Sequence, residues 1–197
     1  MLDLRGKRLL ILGGIALSSE IVKYAKNLGI EVYVTDYLLD SPAKKYSDKS
    51  FMVSTKDIDG IVRLIDTEKV DGIITGFVDM LLPFYHEACR RSAKPCYGTK
   101  EQFDLFTNKL LFKNLCRRFH VPTVEEYVVE TPLNYDSIKD LDYPILLKPV
   151  DNSGGRGIFI CETPEDILLN YSKSISFSPS KQVLVERYIK AKEVTIF

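Results

Sequence analysis

The stretch Tyr143-Pro-Ile-Leu-Leu-Lys-Pro-Val-Asp-Asn-Ser-Gly-Gly-Arg-Gly157 decides how this sequence is read. The apolar run Ile145 to Leu147 predicts a short strand that delivers Lys148 at its end, and a loop rich in glycine follows. Gly154, Gly155 and Gly157 permit positive φ and close backbone approach. Consecutive N–H groups in such a loop can form a concave anion nest, to which Lys148 adds a point charge and Arg156 a planar fork. Gly157 to Cys161 predicts a second strand. The arrangement suggests a phosphate grip; the plain alternative is a hairpin with a glycine turn and a solvated arginine.

Three familiar phosphate loops do not fit. A Walker A loop needs Lys and Ser or Thr directly after its last glycine and then a helix, whereas Ile158 and Phe159 continue as a strand. A dinucleotide loop joins a strand to a helix. A kinase glycine loop precedes its strand lysine, and here Lys148 precedes the glycines. What remains is strand lysine, glycine loop, strand.

Composition bounds the rest. The 197 residues suffice for one or two domains with a real core, and 45% hydrophobic with 27% charged residues excludes a disordered or membrane-like chain. Basic and acidic residues number 27 each, so no global positive field collects nucleic acid. Cys89, Cys96, Cys116 and Cys161 show no metal-binding spacing. No signal peptide and no membrane span are read, and a cytoplasmic setting is expected. His86 and His120 are read as surface or helix-end residues.

The chain opens β-α-β. Lys7-Arg-Leu-Leu-Ile-Leu-Gly-Gly14 is a strand running into a glycine pair, Ser18 or Ser19 can cap a helix burying Ile21, Val22, Ala25 and Leu28, and Glu31 to Asp36 is the next strand. Asp36 ends its strand as in dinucleotide-binding folds, but Gly13-Gly14-Ile-Ala-Leu-Ser18 lacks the spaced glycines of that fingerprint. A strand at 51–53, a helix at 57–67, a strand at 70–76 and a helix at 80–93 follow. Strands alternating with helices over residues 7 to 98 imply a doubly wound parallel sheet. Gly13, Gly14, Asp36 and Gly76 to Asp79 would lie at the carboxyl edge where such sheets bind ligands, or serve as turn residues only.

A second unit begins near Thr99. Thr107 or Asn108 can cap a helix from Lys109 to Phe119, on which Lys109 and Lys113 share a face that is ordinarily solvated. Thr123 to Val129 reads as a strand and Asn134 to Leu141 as a short helix. A helix from Pro164 to about Ser172 precedes a serine-rich loop to Ser180. Val183 to Ile189 is a strand, and Glu193 to Phe197 begins another. A chain stopping within a strand looks truncated.

Four separated elements carry a family resemblance: Asn108-Lys109 opening a helix that ends in a Val-Pro break, Pro144-x-x-x-Lys148-Pro149, Ser153-Gly-Gly-Arg-Gly157, and Val185-Glu186-x-x-Ile189 followed by Glu193. In this order they resemble the first half of an ATP-grasp domain, on the side of the carbamoyl-phosphate synthase large subunit and biotin carboxylase. The resemblance covers the whole chain, because such enzymes usually begin with a Rossmann-like domain. It implies an α/β fold: a Rossmann-like pre-ATP-grasp domain over residues 1–98, then the first, incomplete part of an ATP-grasp α+β domain over 99–197.

By the same resemblance Lys109 and Lys148 correspond to two phosphate-binding lysines, and Ser153, Gly154, Gly155, Arg156 and Gly157 to a flap over the β- and γ-phosphates. Glu186, Arg187, Tyr188 and Ile189 correspond to the segment that reads adenine, largely through backbone groups, and Glu193 to the carboxylate on the ribose hydroxyls. The implied chemistry is ATP-dependent activation of a carboxylate as an acyl phosphate, attacked by an amine or similar nucleophile. ATP and Mg²⁺ are the expected cofactors, with the metal ligands expected after Phe197, so this chain alone is expected to be inactive. The expected partners are ATP and small carboxylate and amine substrates, with a homodimer as candidate assembly and no nucleic acid or membrane. A nucleotide-binding regulatory module without catalysis, and a nicotinamide-dependent oxidoreductase using residues 1–98, stand as other readings.

Overall fold

The computed structural model describes residues 3–192 and 194. Glu193, and the strand expected to begin there, lie outside the described residues. Two compact units are present, Met1–Phe103 and Asp104–Phe197. Phe103 belongs with the first because its ring packs against Tyr85 and Tyr97.

In the first unit β1 (Arg8–Leu12), β2 (Glu31–Thr35), β3 (Lys49–Phe51) and β4 (Gly72–Ile74) form a parallel sheet in the order β3-β2-β1-β4. Alternate residues of a strand face opposite sides, and both sides of this sheet are covered. Leu10, Leu12 and Tyr33 pack with Ile61, Leu64 and Ile65 of α2 (Ile58–Thr67) and with Tyr85 and Ala88 of α3 (Leu82–Ser92). Ile11, Val32 and Val34 pack with Val22 and Ala25 of α1 (Ser18–Asn27). This is the doubly wound arrangement that the alternating pattern predicts.

Local details differ from the sequence reading. Neither Ser18 nor Ser19 caps α1: Leu17 stands at the N-cap position without a side-chain cap bond, and both serines are buried in the first turn. Asp36 braces a turn, because its carboxylate accepts from the backbone N–H of Gly14 (2.8 Å) and of Leu38 (2.9 Å). Those two bonds use both carboxylate oxygens of the acidic residue that in a dinucleotide fold would meet a ribose.

The second unit holds an antiparallel sheet of β5 (Ile145–Pro149), β6 (Phe159–Cys161) and β7 (Val183–Arg187), in the order β6-β5-β7. Ile145, Leu147, Cys161 and Val185 bury one face against Ile138 and Ile167. Ile167 belongs to α6 (Pro164–Ser176), which begins with proline in its first turn and a capping box between Thr163 and Asp166. α6 runs on to Ser176, through residues read as serine-rich loop, because Tyr171 and Ser174 face inward. A helix missed by the sequence reading, α4 (Lys100–Thr107), crosses the boundary between units and precedes α5 (Lys109–Arg118).

Two expected elements are reduced. Thr123 to Val129 makes an isolated bridge, Glu126 with Glu186, supported by bonds from Tyr127 N–H to Val185 C=O (2.8 Å) and from Arg187 N–H to Glu125 C=O (3.1 Å). Asn134 to Leu141 forms successive turns, started by Asn134 accepting from Ser137 N–H and Ser137 Oγ, so side chain and turn bonds replace a helical ladder.

Candidate nucleotide-binding site

Antiparallel register puts directly opposed residues on the same face. Leu146 faces Glu186 and Lys148 faces Leu184, so Lys148 and Glu186 are diagonal neighbours on the side of the sheet opposite the apolar core. Lys148 Nζ lies 3.9 Å from Glu186 Oε2. The Lys148 side chain keeps 30% of its surface, whereas that of Glu186 keeps 5%.

α5 supplies the other cations. Asn108 is its N-cap, its side chain accepting from Leu110 and Leu111 N–H, which explains why the helix restarts there. Lys109, Lys113 and Arg117 then recur every four residues and form one stripe. Lys109 is tied to the segment after β5 twice, by its N–H to Val150 C=O (2.8 Å) and by its ammonium to Asn152 C=O.

Lys113 overturns the expectation of a solvated face. It is 8% exposed, and its ammonium donates to Glu186 Oε1 (2.8 Å) and Val124 C=O (2.9 Å). It also lies 2.6 Å from Glu126 Oε1, an ion pair whose geometry is not that of a directed hydrogen bond. Arg117 pairs with the other oxygen of Glu126 at 2.6 Å. Burial would push the Glu126 carboxyl up, but its close pairing with Lys113 and Arg117 wins and holds it below its ordinary value.

The glycine loop joins β5 to β6. Gly154, Gly155 and Gly157 all have φ between 69° and 77°, the left-handed region that favours glycine. A Cβ on Gly154 or Gly155 would meet open space, whereas one on Gly157 would lie 2.6 Å from Phe177 Cβ and 2.8 Å from Pro149 Cγ. Gly157 is therefore a packed anchor and the other two form an open crest. Asn152 braces the base: its Oδ1 accepts from Ser153 N–H (2.9 Å) and from Arg156 Nη2 (3.2 Å), and its Nδ2 donates to Arg156 C=O (3.3 Å). Arg156 thus folds onto its own loop. Asp151 is held by Ser178 Oγ and by Ser180 N–H (2.9 Å); against the opposing effect of burial, these bonds keep its carboxyl below the usual range.

Glu186 and Arg187 end β7, and Tyr188 N–H donates to Pro144 C=O (3.0 Å). Ile189 is 54% exposed. Tyr188 to Lys192 line an open concavity, but walls made of one continuous segment do not define a site. Of the expected residues, Lys148 and Glu186 sit together on the sheet, and Lys109 and the 153–157 loop meet at Asn152. Glu126 and Arg117 went unread, and Lys113 was read as solvated. The recurrence of cations along α5 was a signal for them, but their buried counter-charges lie far away in sequence.

Residues 108–196 match the family described as carbamoyl-phosphate synthase L chain, ATP binding domain. That match spans most of the second unit. The chain is 30% identical over 203 aligned positions to the formate-dependent phosphoribosylglycinamide formyltransferase of Sulfurisphaera tokodaii, spanning 96% of this chain and 49% of that protein. It is 26% identical to the enzyme of the same name from Pyrococcus furiosus, over 93% of this chain and 43% of that one. The chain thus spans about half the length of the curated relatives it matches. In fold it is similar to the biotin carboxylase domain of Hydrogenobacter thermophilus 2-oxoglutarate carboxylase, solved with MgADP, ADP and bicarbonate (TM-score 0.75, 24% identity, 93% of this chain and 44% of that one). It is likewise similar to N5-carboxyaminoimidazole ribonucleotide synthetase of Thermotoga maritima (TM-score 0.69, 16% identity, 93% and 46%). Both likenesses extend through the parallel sheet of the first unit and the antiparallel sheet of the second.

Proposed function

We propose that this chain is part of an ATP-dependent ligase that activates a small carboxylate as an acyl phosphate for attack by an amine. The observation that carries the reading is the arrangement around β5. Lys148 stands on the sheet face opposite the apolar core, and the positive-φ glycine loop follows. The amino terminus of α5, with Lys109, is hydrogen-bonded to the base of that loop. Cations, backbone N–H groups and a helix amino terminus on one edge suit a polyphosphate.

In the proposed reaction a carboxylate oxygen attacks the γ-phosphorus of ATP and ADP leaves. The amine then attacks the acyl carbon, inorganic phosphate leaves, and the nitrogen gives up a proton to solvent. Lys109, Lys148 and the N–H groups of Ser153 to Gly157 would hold and neutralise the phosphates, a positioning and electrostatic role typical of phosphoryl transfer. The backbone of Glu186 to Ile189 would border the base, and Glu193 the ribose. Mg²⁺ would help neutralise the phosphate charge; among the described residues no group of three or more carboxylate, histidine or cysteine side chains could hold it. Formate is the first carboxylate to test, because the relatives aligned along most of this chain are named as formate-dependent. A homodimer is the proposed assembly. Among the described residues no helix is long and apolar enough to cross a membrane.

The test is oxygen transfer. With ¹⁸O-formate, ATP and an amine acceptor, an acyl phosphate intermediate leaves one carboxylate oxygen on the released phosphate. Mass spectrometry of the phosphate should show ¹⁸O; carboxylate-dependent phosphate release without label would overturn the mechanism.

A further inference from the structure

The group with no role in that reading is the buried Lys113. A lysine held this far from water requires partners for its charge, and Lys113 has two carboxylates, Glu126 and Glu186, at 2.6 and 2.8 Å. Glu126 has a second cation, Arg117, at 2.6 Å. Glu186 has Lys113 on Oε1 and, more distantly, Lys148 beyond Oε2 at 3.9 Å. The five groups form a chain of alternating sign, Arg117, Glu126, Lys113, Glu186, Lys148. Three cations and two anions leave one positive charge uncompensated, and Lys148, the most loosely paired and with 30% of its side chain exposed, is where that surplus sits.

We infer that Lys113 is a positioning residue that engages the Glu186 carboxylate and so leaves the Lys148 ammonium available to a phosphate. On this inference the Glu186 side chain is an internal counter-ion, not a contact to the base. If Lys113 is made neutral, Glu186 is a buried anion whose nearest remaining cation is Lys148. A small side-chain movement closes the 3.9 Å separation to an ion pair, and the charge offered to phosphate is cancelled. Removing the Glu186 charge as well should free Lys148 again. The order of effects is distinctive, because a second substitution in a binding site ordinarily makes matters worse.

The inference rests on the ATP reading, and the experiment separates the two. ATP and adenosine affinities are measured in the intact protein by ligand-observed saturation-transfer NMR and calorimetry, for wild type, Lys113→Met, Lys113→Arg and Lys113→Met/Glu186→Gln. Wild type that does not bind ATP defeats the functional reading itself. Given wild-type binding, Lys113→Met should weaken ATP at least about tenfold and change adenosine less than about twofold, because adenosine has no phosphate for Lys148 to meet. Lys113→Arg should stay within about threefold of wild type, and the double variant should regain most of the lost ATP affinity. Equal losses for ATP and adenosine, or a double variant as weak as Lys113→Met or weaker, would overturn the inference and return Glu186 to direct base contact. Should Lys113→Met fail to fold, the double variant and Glu186→Gln decide alone: both should bind ATP within about threefold of wild type, and a tenfold loss in either refutes the positioning role.

Discussion

Replacing Gly157 by alanine separates the packed foot of the glycine loop from its crest. At φ 77° a side-chain-bearing residue is strained, by about 1–2 kcal/mol for an L-residue in the left-handed region. The new Cβ would also stand 2.6 Å from Phe177 Cβ and 2.8 Å from Pro149 Cγ, well inside the ~3.5 Å at which carbon atoms pack comfortably. Relieving that overlap shifts β5 against the end of α6, and overpacking of this kind costs about 1–3 kcal/mol. Together the loss is about 2–5 kcal/mol. For a unit of this size that corresponds to a melting point lower by roughly 8 °C or more. Gly154→Ala and Gly155→Ala carry the φ cost without the clash, since nothing lies within 4 Å of the added atom; each should lose only about 1–2 kcal/mol. Thermal unfolding followed by circular dichroism or calorimetry gives the comparison. A Gly157→Ala protein melting within about 2 °C of wild type, or losing no more than Gly154→Ala, would refute the division into foot and crest.

Other expectations follow from the same geometry. Lys113→Met strips the shared cation from side chains that are 15% and 5% exposed, so a stability loss of about 3–5 kcal/mol is expected in urea unfolding, and a loss below about 1 kcal/mol would mean that the pairs are screened. Ser178→Ala removes a buried hydroxyl from Asp151 and should cost about 1–2 kcal/mol by the same assay. Glu126 and Asp151 have folded-state pKa values held below their ordinary 4.5 and 3.8. A depressed carboxyl contributes stability that is fully present above its unfolded pKa and is lost as pH falls through the folded one. Stability should therefore decline on acidification below about pH 4.5, and Glu126→Gln should flatten that decline; an unchanged acid limb would show that Glu126 carries none of it.

The parts of this molecule that were legible in the sequence are those written in local signals. An apolar run entering glycine marked β1, an apolar run ending at Lys148 marked β5, the spacing of Ile58, Ile61 and Ile65 marked α2, and the Pro164-Glu165-Asp166 start marked α6. Glycines at 154, 155 and 157 announced their positive φ. What escaped depends on partners distant in the chain. Lys113 looks solvated until Glu186, 73 residues later, is brought against it by β7. Thr123 to Val129 has strand-like composition, but its pairing with β7 reduces to a bridge at Glu126, whose side chain turns to Lys113 and Arg117. Asp36 has the residue type and position of a ribose ligand, yet the N–H groups of Gly14 and Leu38 use both its oxygens. Buried charge and side chain-to-backbone bonds are tertiary facts, and no periodicity reports them.

The most direct test of the nucleotide site is calorimetric titration of the protein with MgATP, beside its Lys148→Ala variant. Saturable binding to wild type, weakened at least about tenfold in the variant, or 1.4 kcal/mol, is the predicted result. An absence of binding to the intact protein, or equal affinity in both, would contradict the account.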